Sequence, residues 1–125
     1  MSLLAALPKE GLDLVLCSFS PELSAPCRER IDGVSYLGLP AGDRPALEQA
    51  LEEHRPDAVI LPHMYGQPIE RLDDMVRLCR SRGILTIEDC ASALGASSPE
   101  YPVGKTGDYT LCSTGYAKIV EVGYG

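Results

Sequence analysis

The sequence is poor in basic residues. Lys and Arg together number 11, against 18 Asp and Glu, which gives a formal net charge of −7. A nucleic-acid-binding surface needs an excess of Lys and Arg to displace counterions, and an anionic membrane surface attracts the same side chains. The composition therefore argues against nucleic acids and membrane surfaces as partners.

Long apolar runs and a secretory signal are also lacking. No run approaches the ~20 apolar residues that a membrane-spanning helix needs. The first residues are apolar over 3–7 only, and neither a basic segment nor a cleavage pattern accompanies them. This pattern does not resemble a signal peptide, so a location inside the cell is expected.

Paired cysteines are missing as well. The chain has five cysteines, an odd number, and none of them forms a Cys-x-x-Cys pair. A disulfide framework or a zinc site would need paired or closely spaced cysteines. We therefore expect no metal site, and a reducing cytoplasm is the favoured compartment.

The length and composition fit one globular domain. The chain has 125 residues, of which 45% are hydrophobic and 23% charged. Domains cluster near roughly 100–150 residues, and these fractions are ordinary for a folded protein. We expect a single α/β domain over residues 1–125.

Strands and helices are predicted to alternate along the chain. Helical spacing of apolar residues predicts helices over 43–54 and 69–82, and a weaker pattern favours a short helix over 21–31, despite Pro26. Apolar runs predict buried strands over 12–19, 34–39, 57–62, 84–88 and 109–113. The fold class is therefore α/β, with a mainly parallel sheet and flanking helices.

Three of the predicted strands end in residues that can carry chemistry. His63 follows one strand, Asp89 follows another, and Ser113 ends a third, with Lys118 five residues later. Ligands of open parallel sheets bind beyond the carboxyl ends of the strands. The sequence thus favours a ligand site at this edge.

Each of these residues also has a purely structural interpretation. Asp89 can hold a cationic ring nitrogen or cap the following turn. Lys118, between Ala117 and Ile119, is either a partly desolvated amine suited to Schiff-base chemistry or a surface lysine whose stem packs on apolar neighbours. His63 can stack on or hydrogen-bond a ligand, or it can be structural.

Several motifs in order resemble one known family. They are HMYGQP at 63–68, EDCASALG at 88–95, GD at 107–108, Ser113, Lys118 and GYG at 123–125. Together they resemble the central part of the DegT/DnrJ/StrS family of sugar aminotransferases, which are pyridoxal-phosphate enzymes of fold-type I. The likeness covers most of residues 57–125, and residues 11–56 fit more loosely.

The resemblance implies a cofactor and a set of roles. Pyridoxal 5′-phosphate is the implied cofactor; Asp89 would pair with its pyridine nitrogen and Ala91 would pack on its ring. Ser113 would bind the phosphate, and Lys118 would be the Schiff-base lysine that also moves the substrate proton. Ser92 stands where the family usually has Gln or His reaching the phenolic oxygen; because Ser is shorter, we expect that contact to be lost or water-bridged. His63 is included among the cofactor-binding candidates.

The family's parent reaction is amino transfer, from an amino donor such as glutamate, to a nucleotide-linked keto-sugar. Compared with family members, this sequence is short, and neither their N-terminal Gly-Thr segment nor their C-terminal small domain is present in it. Two alternatives follow: a non-catalytic relative that serves as a binding or interaction module, and an unrelated doubly wound binding domain.

Self-association is a further expectation. Buried parallel strands need cover on both faces of the sheet, and only about three helices are predicted. A homo-oligomer, in this family a homodimer, would supply the cover. The alternative is a monomer in which the loop at 95–107 and residues 3–7 fold over the sheet.

Overall fold

The protein is built around one six-stranded sheet. The computed structural model describes residues 15–20, 27–31, 34–40 and 43–122. The strands are β1 (Val15–Ser20), β2 (Cys27–Ile31), β3 (Val34–Pro40), β4 (Ala58–Pro62), β5 (Leu85–Asp89) and β6 (Tyr109–Leu111), and the helices are α1 (Arg44–His54) and α2 (Leu72–Ser81). Across the sheet the strand order is β2-β3-β1-β4-β5-β6.

The sheet is mainly parallel, as predicted. The pairs β1–β3, β1–β4, β4–β5 and β5–β6 are parallel, and only β2–β3 is antiparallel. The chain alternates strand and helix from β3 to β5, so the predicted α/β class is confirmed.

The helix prediction for residues 21–31 is wrong where it can be compared. Residues 27–31 form β2, which pairs along its whole length with β3, and residues 21–26 lie outside the described part of the chain. The two residues between β2 and β3 are Asp32 and Gly33, a pair that favours tight hairpin turns. Pairing with the edge of β3 has overridden a weak local helical pattern.

The start of α1 and the end of α2 carry recognisable signals. Asp43 caps α1, because its Oδ1 accepts the Ala46 N–H at 3.0 Å. Gly83 follows α2 with a φ of +71°, a conformation that glycine adopts without strain. The start of α2 differs from the prediction: the helix begins at Leu72, because Arg71 has a φ of +56°, which lies outside the right-handed helical region. The Ile69 N–H, three residues before α2, donates to the His63 ring.

Both helices pack on the same face of the sheet. The connections β3–α1–β4 and β4–α2–β5 run in the same direction across the sheet, and right-handed crossovers then place their helices on one side. Side chains of β4 and β5 that point to this side are fully buried; they are Val59, Leu61, Thr86 and Glu88.

The opposite face is open among the described residues. Side chains alternate between the two faces along a strand. On this second face Leu85 is 48% exposed and Tyr109 is 61% exposed, while Ile87 and Asp89 are half-buried. Neither α1 nor α2, with 11 and 10 residues, has the length and apolar character needed to cross a bilayer.

The loop between β5 and β6 covers the helical face. Tyr101 is buried with the core, and Val103 packs against it. The expected cover from the loop at 95–107 is thus present, but it lies on the same side as the helices. Residues 3–7, the other segment expected to cover the sheet, lie outside the described residues.

Candidate active site

Sheet register brings the predicted strand ends together. Pro62 of β4 lies beside Asp89 of β5, which in turn lies beside Leu111 of β6. The residues that follow these three positions therefore leave the sheet at one edge. His63 is the first residue after β4, and Ser113 is the second residue after β6.

A cavity of about 240 Å³ opens at this edge. Four of the six predicted site residues line it; together with three apolar neighbours the lining is Ala91, Ser92, Leu94, Ser113, Ala117, Lys118 and Ile119. Two hydroxyl groups and one amine therefore converge on a small space. Asp89 and His63, the other two predicted residues, are not part of the lining.

Asp89 lies at the end of β5, directly before the residues that line the cavity. Its Oδ1 accepts the Ala91 N–H at 2.9 Å, which is the local capping contact that the sequence left open. Hydrogen bonds from the described residues reach only this oxygen. The half-buried carboxylate thus keeps Oδ2 available to a cationic group.

The segment that carries Lys118 is a turn after β6. The Lys118 N–H donates to the Gly115 carbonyl at 3.2 Å, and Ala117 has a φ of +61°. Lys118 itself is half-buried, but its neighbour Ile119 is 77% exposed. The apolar neighbours therefore face solvent more than the sequence suggested, and they do not enclose the lysine.

His63 is engaged entirely by the protein. The Ile69 N–H donates to Nδ1 at 3.1 Å, so Nδ1 is an acceptor and Nε2 carries the ring proton. Nε2 then donates to Oε2 of Glu88 at 3.1 Å, and the ring is buried. Both ring nitrogens are used, and the imidazole is turned toward the covered face of the sheet.

Glu88 is a buried carboxylate beside the candidate site that the sequence alone did not single out. Its carboxylate is fully buried and accepts four hydrogen bonds. Oε1 accepts the N–H groups of Thr106 and Gly107, and Oε2 accepts the Gly104 N–H at 2.7 Å and the His63 ring. The available signal was a lone carboxylate at a buried position of an apolar strand, with a glycine-rich segment following it.

The hydrogen bonds keep Glu88 ionised. Burial opposes ionisation, but the N–H groups of Gly107 and Gly104, the His63 ring and the Thr106 N–H outweigh it and hold the pKa below its ordinary value. Gly107 leaves little room here, since a Cβ at this position would lie only 3.1 Å from Cγ of Glu88. The carboxylate and the loop are fitted to each other.

Asp108 binds the C-terminal end of the same loop to β5 and α2 through its side chain. Its Oδ2 accepts both the backbone N–H and the hydroxyl of Thr86, each at 2.8 Å, and its Oδ1 accepts Nε of Arg80 at 2.9 Å. The Thr86 bonds and the Arg80 bond lower the pKa of Asp108. Arg80 also donates to the Thr106 carbonyl, so α2 is tied to the loop.

His63, Glu88 and Cys90 bring potential metal-ligand atoms within 4.8 Å of one another. The Nε2 proton points at Glu88, and both carboxylate oxygens already accept two hydrogen bonds each. Burial raises the pKa of the Cys90 thiol to about 12, with Glu88, Cys112 and Asp89 adding to the effect. With the thiol protonated and the carboxylate and imidazole hydrogen-bonded, these groups form a structural network.

The sequence of residues 42–125 matches the DegT/DnrJ/EryC1/StrS aminotransferase family. The chain belongs to this family. Its motif HMYGQP follows β4 directly, EDCASALG begins in the last two residues of β5, and GD directly precedes β6. The enzymes of this family depend on pyridoxal phosphate.

Similar curated proteins are several times longer than this chain. EpsN of Bacillus subtilis, a protein named as a pyridoxal phosphate-dependent aminotransferase, is 36% identical over 85 residues, which are 64% of this chain and 22% of EpsN. GDP-perosamine synthase of Caulobacter vibrioides is 34% identical over 77 residues, or 62% of this chain and 20% of the enzyme. The chain thus spans about a fifth of the length of these relatives.

Among solved structures, the pyridoxal-5′-phosphate-dependent protein YhfS from Escherichia coli aligns with a TM-score of 0.43 and 26% identity. The alignment covers 70% of this chain and 26% of YhfS.

Proposed function

We propose that this chain forms the cofactor-binding core of an aminotransferase whose parent reaction transfers an amino group to a nucleotide-linked keto-sugar. The supporting observation is the cavity lined by Ala91, Ser92, Ser113 and Lys118, which lies next to Asp89 in a chain of this family. The sugar class is carried over from relatives such as GDP-perosamine synthase.

The residues at the cavity fit the chemistry of pyridoxal phosphate. A phosphate needs hydrogen-bond donors, and Ser113, which carries a hydroxyl, lines the cavity. A protonated ring nitrogen needs an anion, and Asp89 has one carboxylate oxygen without a partner among the described residues. When bound, the cofactor supplies an electron sink for the substrate carbon.

Each residue then has a definite task. Lys118 would hold the cofactor covalently through Nζ and would move a proton at the reacting carbon. Asp89 keeps the ring nitrogen protonated through a charge-assisted hydrogen bond. Ala91 and Ser92 also line the cavity, where Ala91 would pack on the ring and the Ser92 hydroxyl would be offered to the cofactor.

His63 takes a supporting part in this proposal. Its two nitrogens bind Ile69 and Glu88, so it fixes the end of β4 relative to β5. A direct contact between His63 and the cofactor stays a prediction from the sequence, and the geometry favours the indirect role.

We also propose that the chain acts in the cytoplasm as part of a homo-oligomer. The open sheet face exposes Leu85 and Tyr109, and Tyr116 beside the cavity is 85% exposed. Exposed apolar side chains such as these favour burial against a second protein surface. Sedimentation at low micromolar concentration tests this assembly; a single monomeric species that does not bind an apolar dye would contradict it.

The cofactor proposal is tested by trapping. The protein is mixed with pyridoxal phosphate and reduced with borohydride, and the modified lysine is mapped by mass spectrometry. We expect labelling at Lys118 to exceed that at Lys105, which is exposed in the β5–β6 loop. The variant Lys118→Arg should lose the dominant label, and Lys105→Arg should keep it.

Equal labelling of Lys9, Lys105 and Lys118 would remove the case for a preorganised site. The alternative of a non-catalytic interaction module would then be favoured.

A further inference from the structure

Glu88 stands out because its carboxylate joins separate parts of the chain. Three of its four donors are backbone N–H groups of one loop, at Gly104, Thr106 and Gly107. The fourth donor is the His63 ring at the end of β4. One buried anion thus ties β4, β5 and the loop at 104–108 together.

This arrangement is specific for a carboxylate. Each oxygen accepts two N–H groups, and a carboxylate offers only acceptors. A glutamine of the same shape would present its NH₂ group to two of these donors. A buried donor without an acceptor is costly, so the loop closes in this form only on ionised glutamate.

The loop leads directly into β6, a strand of only three residues. Asp108 donates its N–H to the Thr86 carbonyl at 3.0 Å, and the next residue, Tyr109, pairs with Ile87. A strand this short has few contacts of its own to define its register. The loop that Glu88 fixes therefore determines how β6 lies against β5.

The register of β6 matters for the residues beyond it. A slip of one residue moves the chain by about 3.3 Å and turns every side chain to the other face of the sheet. Ser113 lies two residues after β6 and Lys118 lies seven residues after it. Both would leave the cavity that they share with Ala91.

We infer that Glu88 is a positioning residue: through the loop at 104–108 it sets the register of β6, and thereby the placement of Ser113 and Lys118 relative to Asp89. This inference rests on the proposed function, because that function is what gives the placement of Ser113 and Lys118 a role in cofactor binding. The effect of Glu88 on the register of β6 concerns the protein alone and does not depend on the cofactor. Glu88 and Asp89, adjacent in sequence, then serve one site from opposite faces of the sheet.

The test compares Glu88→Gln with a control that destabilises the fold elsewhere. Leu47→Ala removes a fully buried side chain from α1, and denaturant titration finds conditions under which both variants are equally folded. Two quantities are measured: the ratio of borohydride-trapped cofactor at Lys118 to that at Lys105, and amide hydrogen exchange.

We expect Glu88→Gln to lower the labelling ratio about tenfold, because leaving a buried N–H donor without an acceptor has a free-energy cost that corresponds to a factor of this order. It should also speed exchange at Cys90, which donates to the Leu111 carbonyl, and at Lys118, which donates to Gly115. Leu47→Ala at equal stability should change neither quantity by more than about twofold.

Equal behaviour of the two variants in both measurements would overturn the inference. If the wild type shows no preference for Lys118, the proposed function fails, and exchange at Cys90 and Lys118 still decides the role of Glu88. If Glu88→Gln does not fold, Gly107→Ala replaces it, because the added Cβ presses on Glu88 Cγ. A Gly107→Ala variant with wild-type ratio and exchange would refute the role.

Discussion

Glu88 and Asp89 are neighbouring carboxylates at the end of β5, and they differ in burial and in hydrogen bonding. Glu88 points to the helical face, is fully buried and accepts four hydrogen bonds. Asp89 points to the open face, is half-buried and accepts one from the part of the chain that the structure describes. The covered face completes its polar contacts internally, whereas the open face keeps capacity for a ligand.

The same contrast holds for apolar side chains. Leu72 and Met75 of α2 are fully buried against the helical face of the sheet. On the cavity side, Tyr116 and Ile119 remain mostly exposed. One side of the sheet therefore carries the stability of the fold, and the other side carries the candidate chemistry and the candidate interface.

The largest expected effect is a difference in the free energy of unfolding between two truncation variants, one on the helical side of the sheet and one on the cavity side. Leu72→Ala should lower the free energy of unfolding by about 2–5 kcal/mol, because it leaves a cavity in the core. Ile119→Ala should change it by less than about 0.5 kcal/mol, since the side chain is exposed. Urea titration of both variants measures the difference, and similar losses would contradict the division between the two sides.

Cysteine alkylation compares the same two sides without mutation. Cys90 is buried, and burial raises the pKa of its thiol to about 12, whereas Cys112 after β6 is exposed. A thiol reacts through its thiolate and needs access to reagent, so Cys90 should react about a hundredfold or more slowly than Cys112. Peptide mapping after timed alkylation measures both rates; comparable rates would mean that the covered face opens readily.

Asp89→Asn removes the charge and keeps an oxygen that can accept the Ala91 N–H. We expect cofactor affinity to fall about tenfold, because a charge-assisted hydrogen bond is roughly twice as strong as a neutral one. The free energy of unfolding should stay within about 0.5 kcal/mol of wild type. Equilibrium dialysis gives the affinity, and an unchanged value would reduce Asp89 to a capping residue.

The smallest effect is the acid dependence of stability. The pKa values of Glu88 and Asp108 are lowered in the folded protein, so their stabilisation is complete above their ordinary values of 4.5 and 3.8. It is lost as pH falls through the lower folded values, because the folded state must then take up protons that the unfolded state already holds. Urea titrations from pH 6 to about pH 3 should show this loss.

Glu88→Gln serves as the control for the acid dependence. This variant lacks one of the two carboxylates, so its stability should fall less steeply below the ordinary pKa of Glu88. Identical slopes in the variant and the wild type would contradict the lowered pKa of Glu88.

Local pattern in the sequence was enough for much of the sheet. The apolar runs around Val59 and Ile87 identified β4 and β5, and the apolar stripe through Met75 identified α2. The apolar residues that bury these elements lie within the elements themselves, so their periodicity is visible in the sequence. β2 was missed because its strand form depends on pairing with β3, a contact outside its own segment.

The candidate site was predictable in part for the same reason. Asp89 and Ser113 follow strands, and the order of parallel strands brings strand ends to one edge. The backbone partners of Glu88 were not predictable, because they come from a loop that folds back from 16 to 19 residues further along the chain. The pairing of His63 with Glu88 was not predictable either, because it joins the ends of two different strands. The exposure of Ile119 likewise depends on how the segment after β6 leaves the sheet.

The most direct test of the central claim is the dependence of lysine labelling on cofactor concentration. A preorganised site saturates, whereas random Schiff-base formation rises in proportion to concentration. With borohydride trapping and peptide mapping, labelling at Lys118 should level off while labelling at Lys105 continues to rise linearly. Linear labelling at Lys118, with the same slope as at Lys105, would contradict the assignment of this cavity as the cofactor site.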